Sequence, residues 1–192
     1  MVSIYSTFSS NMEIERTTIT DVLLIKLKVF GDERGFFLET FRDDWLADAG
    51  VDADFVQDNH SKSVQGTVRG MHYQIQHPQG KLVRVIRGEI FDVVIDLRTT
   101  SLTFGQWVGC RLNEADKEIL WVPPGFAHGF LVMSESAEFV YKCTEYYTPE
   151  YERTILWNDP GLKIDWPKLE VEPLLSEKDA GGVLFRDAEY YT

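Results

Sequence analysis

Residues 81–97, KLVRVIRGEIFDVVIDL, carry the strongest structural signal in the chain. Phe91, Val93, Ile95 and Leu97 alternate with Asp92, Val94 and Asp96, the period of an extended strand. The trio Arg87-Gly88-Glu89 between two β-rich runs predicts a hairpin. Working outward, further strands are predicted over 21–30, 67–76, 106–112, 118–122, 129–132 and 138–144, each bounded by Gly, Pro, Asn, Asp or Ser. One short helix is predicted over 42–49, with Asp43 and Asp44 in its first turn and Gly50 as its stop. Short strands spaced in this way predict an all-β sandwich or jelly roll and exclude a βαβ sheet.

The chain has 192 residues, enough for one domain with a real core, and residues 1–192 are read as a single domain. Hydrophobic residues make up 44% and charged residues 26%, which excludes disordered and collagen-like classes. No apolar run approaches the roughly 18 residues of a membrane span. The N-terminus, MVSIYSTFSSNMEIER, lacks the basic and apolar regions of a signal peptide. Cys110 and Cys143 are too few for a disulfide scaffold, and a cytoplasmic setting is expected. Thirty-one acids against 19 bases give a net charge of −12, which argues against nucleic-acid and anionic-membrane partners. An anionic ligand would need a local cluster of Arg and Lys.

Four residue types could carry chemistry. His72 lies in RGMHYQ (69–74), where strict alternation puts His72 and Gln74 on one face and Arg69, Met71 and Tyr73 on the other. Imidazole is the side chain best matched to proton abstraction near neutral pH, but a lone strand histidine is more often structural. Lys81 reads by default as a solvated strand end. Tyr141 shares a face with Phe139 and Cys143, as a core aromatic or as a phenolic acid. Arg34, Arg69, Arg84 and Arg87 are the candidate phosphate clamps.

Gly66-x5-His72 and Pro124-Gly-Phe-Ala-His128 are fragments of the two cupin metal motifs. Gln74 stands where the second ligand belongs, and no carboxylate follows at the right distance, so no metal is expected.

Ordered blocks then define a resemblance over nearly the whole chain. They read GDERGFFLE (31–39), FVQDNHSK (55–62), VRGMHYQI (68–75), QGKLVRVI (79–86), WVPPGFAHGFL (121–131), FVYKCTEYYTPEY (139–151), ILWNDPGL (155–162) and SEKDAG (176–181). The chain resembles the dTDP-4-dehydrorhamnose 3,5-epimerase family of sugar-nucleotide epimerases. That resemblance implies a cupin-type β-jelly roll with short flanking helices, assembled as a homodimer with strand exchange and using neither metal nor cofactor. It implies His72 as general base, Asp179 as its orienting partner, Lys81 as the cation beside the enolate oxygen and Tyr141 as the acid on the opposite face. It further implies Arg34, Glu39, Gln57, Asn59, Arg69 and His128 as contacts of a dTDP-sugar, with Arg34 and Glu39 serving the partner subunit's site. Residues 1–11 precede the usual family start and read as an N-terminal extension or a misassigned start. The expected reaction inverts C3 and C5 of dTDP-4-dehydro-6-deoxy-D-glucose. A single-centre epimerase of a related 4-keto sugar and a non-catalytic sugar-binding module are the alternatives.

Overall fold

The structure, a computed structural model, describes residues 7–9 and 12–192. The N-terminal half contributes β1 (Thr7–Ser9), β2 (Met12–Arg16), β3 (Leu23–Leu27), β4 (Phe30–Asp32), β5 (Gly35–Phe37), helix α1 (Asp43–Asp48), β6 (Gln57–Val64), β7 (Val68–Gln74), β8 (Lys81–Arg87) and β9 (Glu89–Asp96). The remainder adds β10 (Trp107–Asn113), β11 (Ile119–Val122), β12 (Phe126–Val132), β13 (Ser136–Cys143), β14 (Glu152–Thr154) and helix α2 (Glu177–Ala180). Two antiparallel sheets face each other, one in the order β1-β2-β3-β11-β8-β13-β6 and the other in the order β10-β9-β12-β7-β14. The architecture is the expected jelly roll. The N-terminal extension expected over 1–11 lies outside the described residues except for β1, which pairs with β2.

The 81–97 stretch supplies two strands, but they do not form the predicted hairpin. β8 pairs with β11 and β13 in one sheet, whereas β9 pairs with β10 and β12 in the other. Gly88 alone carries the chain across, at φ +79°, and a Cβ there would lie 2.1 Å from the Ser136 carbonyl oxygen. The crossing lets Val83 and Val85 of β8 and Ile90 and Val94 of β9 enter one core between the sheets, together with Leu112, Leu120, Phe130 and Phe139. A hairpin would have kept them in one sheet, with no opposing layer to meet.

Each sheet is also covered on its outer face. Residues 38–55, including α1, pack over Leu23, Ile25, Leu82 and Trp121 of the seven-stranded sheet. The C-terminal stretch packs over Met71, Tyr73, Val93 and Ile95 of the five-stranded sheet. It is laced there by bridges Thr67–Leu174, Ile155–Val183 and Arg98–Tyr191. This layer brings α2 to the open end of the barrel.

Sequence pattern alone misses β6, which reads QDNHSKSV. Its inward side chains include Gln57, Asn59 and Ser61, which line a cavity rather than a core. The apolar alternation that marks a half-buried strand is therefore absent. The predicted helix over 42–49 is α1.

Candidate active site

A cavity of about 290 Å³ opens between the sheets. β6 contributes Gln57, Asn59 and Ser61, β7 contributes Arg69 and His72, and β8 contributes Lys81. His128, Tyr141 and Cys143 come from β12 and β13, and Glu152 and Lys178 stand on β14 and α2. Seven of the ten expected site residues thus line one space, and Asp179 lies behind it against His72.

Arg69 reaches this cavity although strict alternation put it on the face opposite His72. The β7–β12 register slips between His128 and Phe130, opposite Gly70. Gly70 adopts φ +134°, and a Cβ there would lie 2.4 Å from Gly129 Cα. Glycine at both positions permits the slip, which turns Arg69 inward, where its Nε donates to Ser63 Oγ at 3.0 Å. Arg69 is the only one of the four candidate phosphate clamps in the cavity. Arg84 lines a separate hollow of about 350 Å³ on the outer face of the seven-stranded sheet, and Arg87 is exposed.

His72 Nε2 lies 2.6 Å from Asp179 Oδ1. Asp179 also accepts from Gly70 N at 3.2 Å and from Ser176 Oγ at 2.6 Å. Ser176 is the N-cap of α2 and accepts in turn from Asp179 N, so the helix start fixes the carboxylate. Burial would raise the Asp179 carboxyl, but the bonds from His72, Ser176 and Gly70 outweigh it and hold it at about 2. Burial lowers the His72 pKa, Lys178 and Lys81 add to the lowering, and Asp179 opposes it. A carboxylate on Nε2 fixes the neutral tautomer with its proton there, which leaves Nδ1 as a free acceptor.

Burial lowers the Lys81 pKa, and its ammonium has no hydrogen-bond or ion-pair partner among the described residues. Tyr141 packs against Phe139, with ring centroids 5.3 Å apart, and burial raises its pKa, so the phenol keeps its proton at neutral pH. His128 is buried, stacks on Phe139 and points Nε2 at both oxygens of Asp92, 2.9 Å from each. Glu152 ties the rim together, accepting from Lys178 Nζ at 2.8 Å and from Tyr147 OH at 2.9 Å. Gln74 does not reach the cavity. Its amide donates to the His77 and Tyr146 carbonyls and accepts from Thr148 N, clamping the loop that carries Tyr147.

Sequence reasoning passed over Asp92, Glu152 and Lys178. Asp92 had a readable signal, a charge inside the otherwise apolar run IFDVV, but Glu152 and Lys178 had none. Arg34 and Glu39 do not line this cavity. Arg34 sits at the tip of the β4–β5 hairpin, 85% exposed and paired with Asp32. Among the described residues no group of three His, Cys, Asp or Glu side chains is placed to hold a metal ion.

A proton acceptor backed by a carboxylate, an unpaired cation and a protonated phenol converge on one space. That set is suited to moving a proton at carbon next to a carbonyl. The family profile described as dTDP-4-dehydrorhamnose 3,5-epimerase matches residues 16–187. The chain belongs to that family. The dTDP-4-dehydrorhamnose 3,5-epimerase of Pseudomonas aeruginosa is 56% identical over 181 residues, which cover 94% of this chain and 99% of that protein. The dTDP-6-deoxy-D-glucose-3,5-epimerase of Legionella pneumophila, solved in complex with dTDP-4-keto-L-rhamnose, superposes with a TM-score of 0.90 at 50% identity and covers 93% of this chain and 95% of its own. A 3'-monoepimerase of Streptomyces bikiniensis, solved with dTDP-quinovose, has a TM-score of 0.82 at 32% identity, covering 88% and 86%. Among the described residues of this epimerase-family chain, no helix is long and apolar enough to cross a membrane.

Proposed function

We propose that this protein converts dTDP-4-dehydro-6-deoxy-D-glucose to dTDP-4-dehydro-L-rhamnose by inverting C3 and C5, a step of dTDP-rhamnose biosynthesis. The observation that carries this reading is the His72–Asp179 pair set against Lys81 and Tyr141 in one cavity. The 4-ketone acidifies the protons on C3 and C5, because the electron pair left behind delocalises onto O4 as an enolate. His72 Nδ1 takes the proton, and Asp179 stabilises the imidazolium. Lys81 receives the negative charge on O4 in a cavity where water screens little. Tyr141 O–H returns a proton to the opposite face of the carbon. Exchange with solvent then removes the proton from His72 and restores one to Tyr141, and a second round at the other carbon completes the conversion.

Arg69 and Lys178 give the cavity a local positive character, so a dianionic nucleotide sugar binds despite the overall charge of −12. Gln57, Asn59 and His128 are the remaining contacts we assign to the ligand within one subunit. The homodimer supplies the rest. The β4–β5 hairpin exposes Phe36 and Phe37 at 61% and 65%, a costly display of apolar surface for an isolated chain. Docked on a second subunit, the hairpin would carry Arg34 and Glu39 to the partner's cavity. A reducing, cytoplasmic setting fits the free thiols Cys110 and Cys143.

Incubation with the substrate in deuterated buffer, followed by NMR of the sugar, tests the reading. Deuterium is expected at both C3 and C5. For the single-centre alternative, the activity of the Streptomyces bikiniensis relative, label at one carbon alone would be the result. No label with any 4-keto sugar nucleotide, despite binding, would leave only the sugar-binding module.

A further inference from the structure

Gln74 follows His72 by two residues on β7 and is only 3% exposed, yet its amide stays outside the cavity. The amide is engaged with backbone instead. Its Nε2 donates to the His77 carbonyl at 2.8 Å and to the Tyr146 carbonyl at 3.2 Å, and its Oε1 accepts from Thr148 N at 2.7 Å. Carbonyls only accept and a backbone N–H only donates, so one orientation of the amide satisfies all three partners. A carboxylate or an apolar side chain of the same size cannot.

Each residue of the loop 145–148 has a backbone group held by a glutamine. Gln79 Nε2 donates to the Glu145 carbonyl at 2.8 Å, Gln57 Oε1 accepts from Tyr147 N at 2.9 Å, and Gln74 holds Tyr146 and Thr148. Of the three glutamines only Gln74 is buried, and bonds withdrawn from water are the costly ones to lose. Gln74 is therefore the anchor of the loop. Its backbone also pairs with Glu152 in the β7–β14 register. The loop presents Tyr147 to the cavity, where the phenol donates to Glu152 at 2.9 Å. One residue thus sets both ends of the Tyr147–Glu152 bond, the loop through its side chain and the strand through its backbone. We infer that Gln74 is a positioning residue of the site, which fixes Tyr147 as a wall of the cavity and so sets how tightly the nucleotide sugar is held. The effect on the ligand rests on the dTDP-sugar reading, whereas the placement of Tyr147 does not.

Two measurements test it, the first without any ligand. In protein carrying 13C-labelled tyrosine, with the Tyr147 resonance assigned from a Tyr147→Phe variant, the phenol should titrate above its ordinary 10, because burial and the Glu152 bond both raise it. In Gln74→Leu the ring should leave Glu152 and the midpoint should fall toward about 10, while Tyr141 keeps its own midpoint. An unchanged Tyr147 midpoint overturns the inference, as does an equal fall at Tyr141, which would report a general loosening of the barrel. The second measurement is calorimetric titration with dTDP of Gln74→Leu, Tyr147→Ala and the double variant. Gln74→Leu should weaken dTDP by about tenfold, the worth of roughly one hydrogen bond. The double variant should bind no more weakly than Tyr147→Ala alone, and effects that add would refute action through Tyr147. If Gln74→Leu fails to fold, Gln74→Glu replaces it. That side chain still accepts from Thr148 N but, once ionised, cannot donate to the two carbonyls, so the same changes are expected and the same outcomes overturn the inference. A wild-type protein that binds no dTDP would fail the proposed function, and the tyrosine titration would still decide the placement of Tyr147.

Discussion

His72 and His128 stand directly opposite each other across the β7–β12 pair, and each turns Nε2 to a different carboxylate, Asp179 at 2.6 Å and Asp92 at 2.9 Å. The two pairs differ in access. The His72 side chain is 22% exposed and the His128 side chain 6%, so the first imidazole is the more open of the two to a ligand. One wall thus carries an open His–Asp pair beside a buried one.

Removal of the open pair should be severe. His72→Ala is expected to lower turnover by about 10²–10⁴-fold in a protein that still folds. Asp179→Asn should also be strongly impaired, because the amide cannot stabilise imidazolium and can fix the wrong tautomer. Steady-state kinetics with circular dichroism checks both. Near-wild-type turnover in folded His72→Ala would remove the base.

Lys178 should be visible in the acid limb of the rate profile. Burial lowers the His72 pKa below its usual 6.5, and the positive charge of Lys178 lowers it further. The unprotonated base therefore persists below pH 6.5, and the acid limb of kcat/KM should lie below that pH. Lys178→Met removes a repelling charge and should move the limb upward. A downward move would contradict the assigned sign.

Tyr141→Phe should separate the two proton transfers. The ring keeps its packing against Phe139 while the acid is lost. Deprotonation continues, so solvent exchange survives through return of a proton to the original face, whereas net inversion falls well below exchange. Both rates can be read from one sample in deuterated buffer. An unchanged ratio would retire Tyr141 and turn attention to Tyr147.

Shared sites predict complementation. Arg34→Ala and His72→Ala subunits, each weak alone, should regain activity when mixed, because a heterodimer holds one intact site. Light scattering should report a dimer at micromolar concentration. A fully active monomer would refute the arrangement.

Acid should loosen the barrel end through Asp96. Burial would raise its carboxyl, but bonds from Arg98, Ser101 and Thr103 bring it down to about 2, from a usual 3.8. A folded-state pKa below the unfolded one contributes stability above about pH 4, here on the order of 2 kcal/mol, which is lost as pH falls toward 2. Thermal melts at pH 7 and pH 3 should show the loss, and Asp96→Asn should be destabilised at pH 7 with a smaller further drop on acidification.

The sequence disclosed most strands, because β8, β9, β12 and β13 carry dense apolar alternation. It misled where local chemistry overrides pattern. Gly88 looked like a hairpin tip because turn residues signal a reversal whether the chain returns to the same sheet or the facing one. Arg69 was put on the wrong face because a register slip resets alternation, and only the backbone shows where it falls. β6 was silent because its inner face is polar and lines a cavity. The proposed catalytic set was legible through family blocks alone, since no spacing rule links His72 to an aspartate 107 residues away.

That separation has a consequence for how the enzyme comes into being. Every cavity residue from Gln57 to Glu152 is synthesised before Asp179, and the carboxylate arrives on a stretch held by the Thr67–Leu174 and Ile155–Val183 bridges. A nascent chain, or one terminated before Val171, carries the histidine but not the group that orients it. Cleavage between Glu152 and Asp179 is therefore expected to lower activity while sparing most of the strands, because it parts the histidine from the carboxylate we propose orients it.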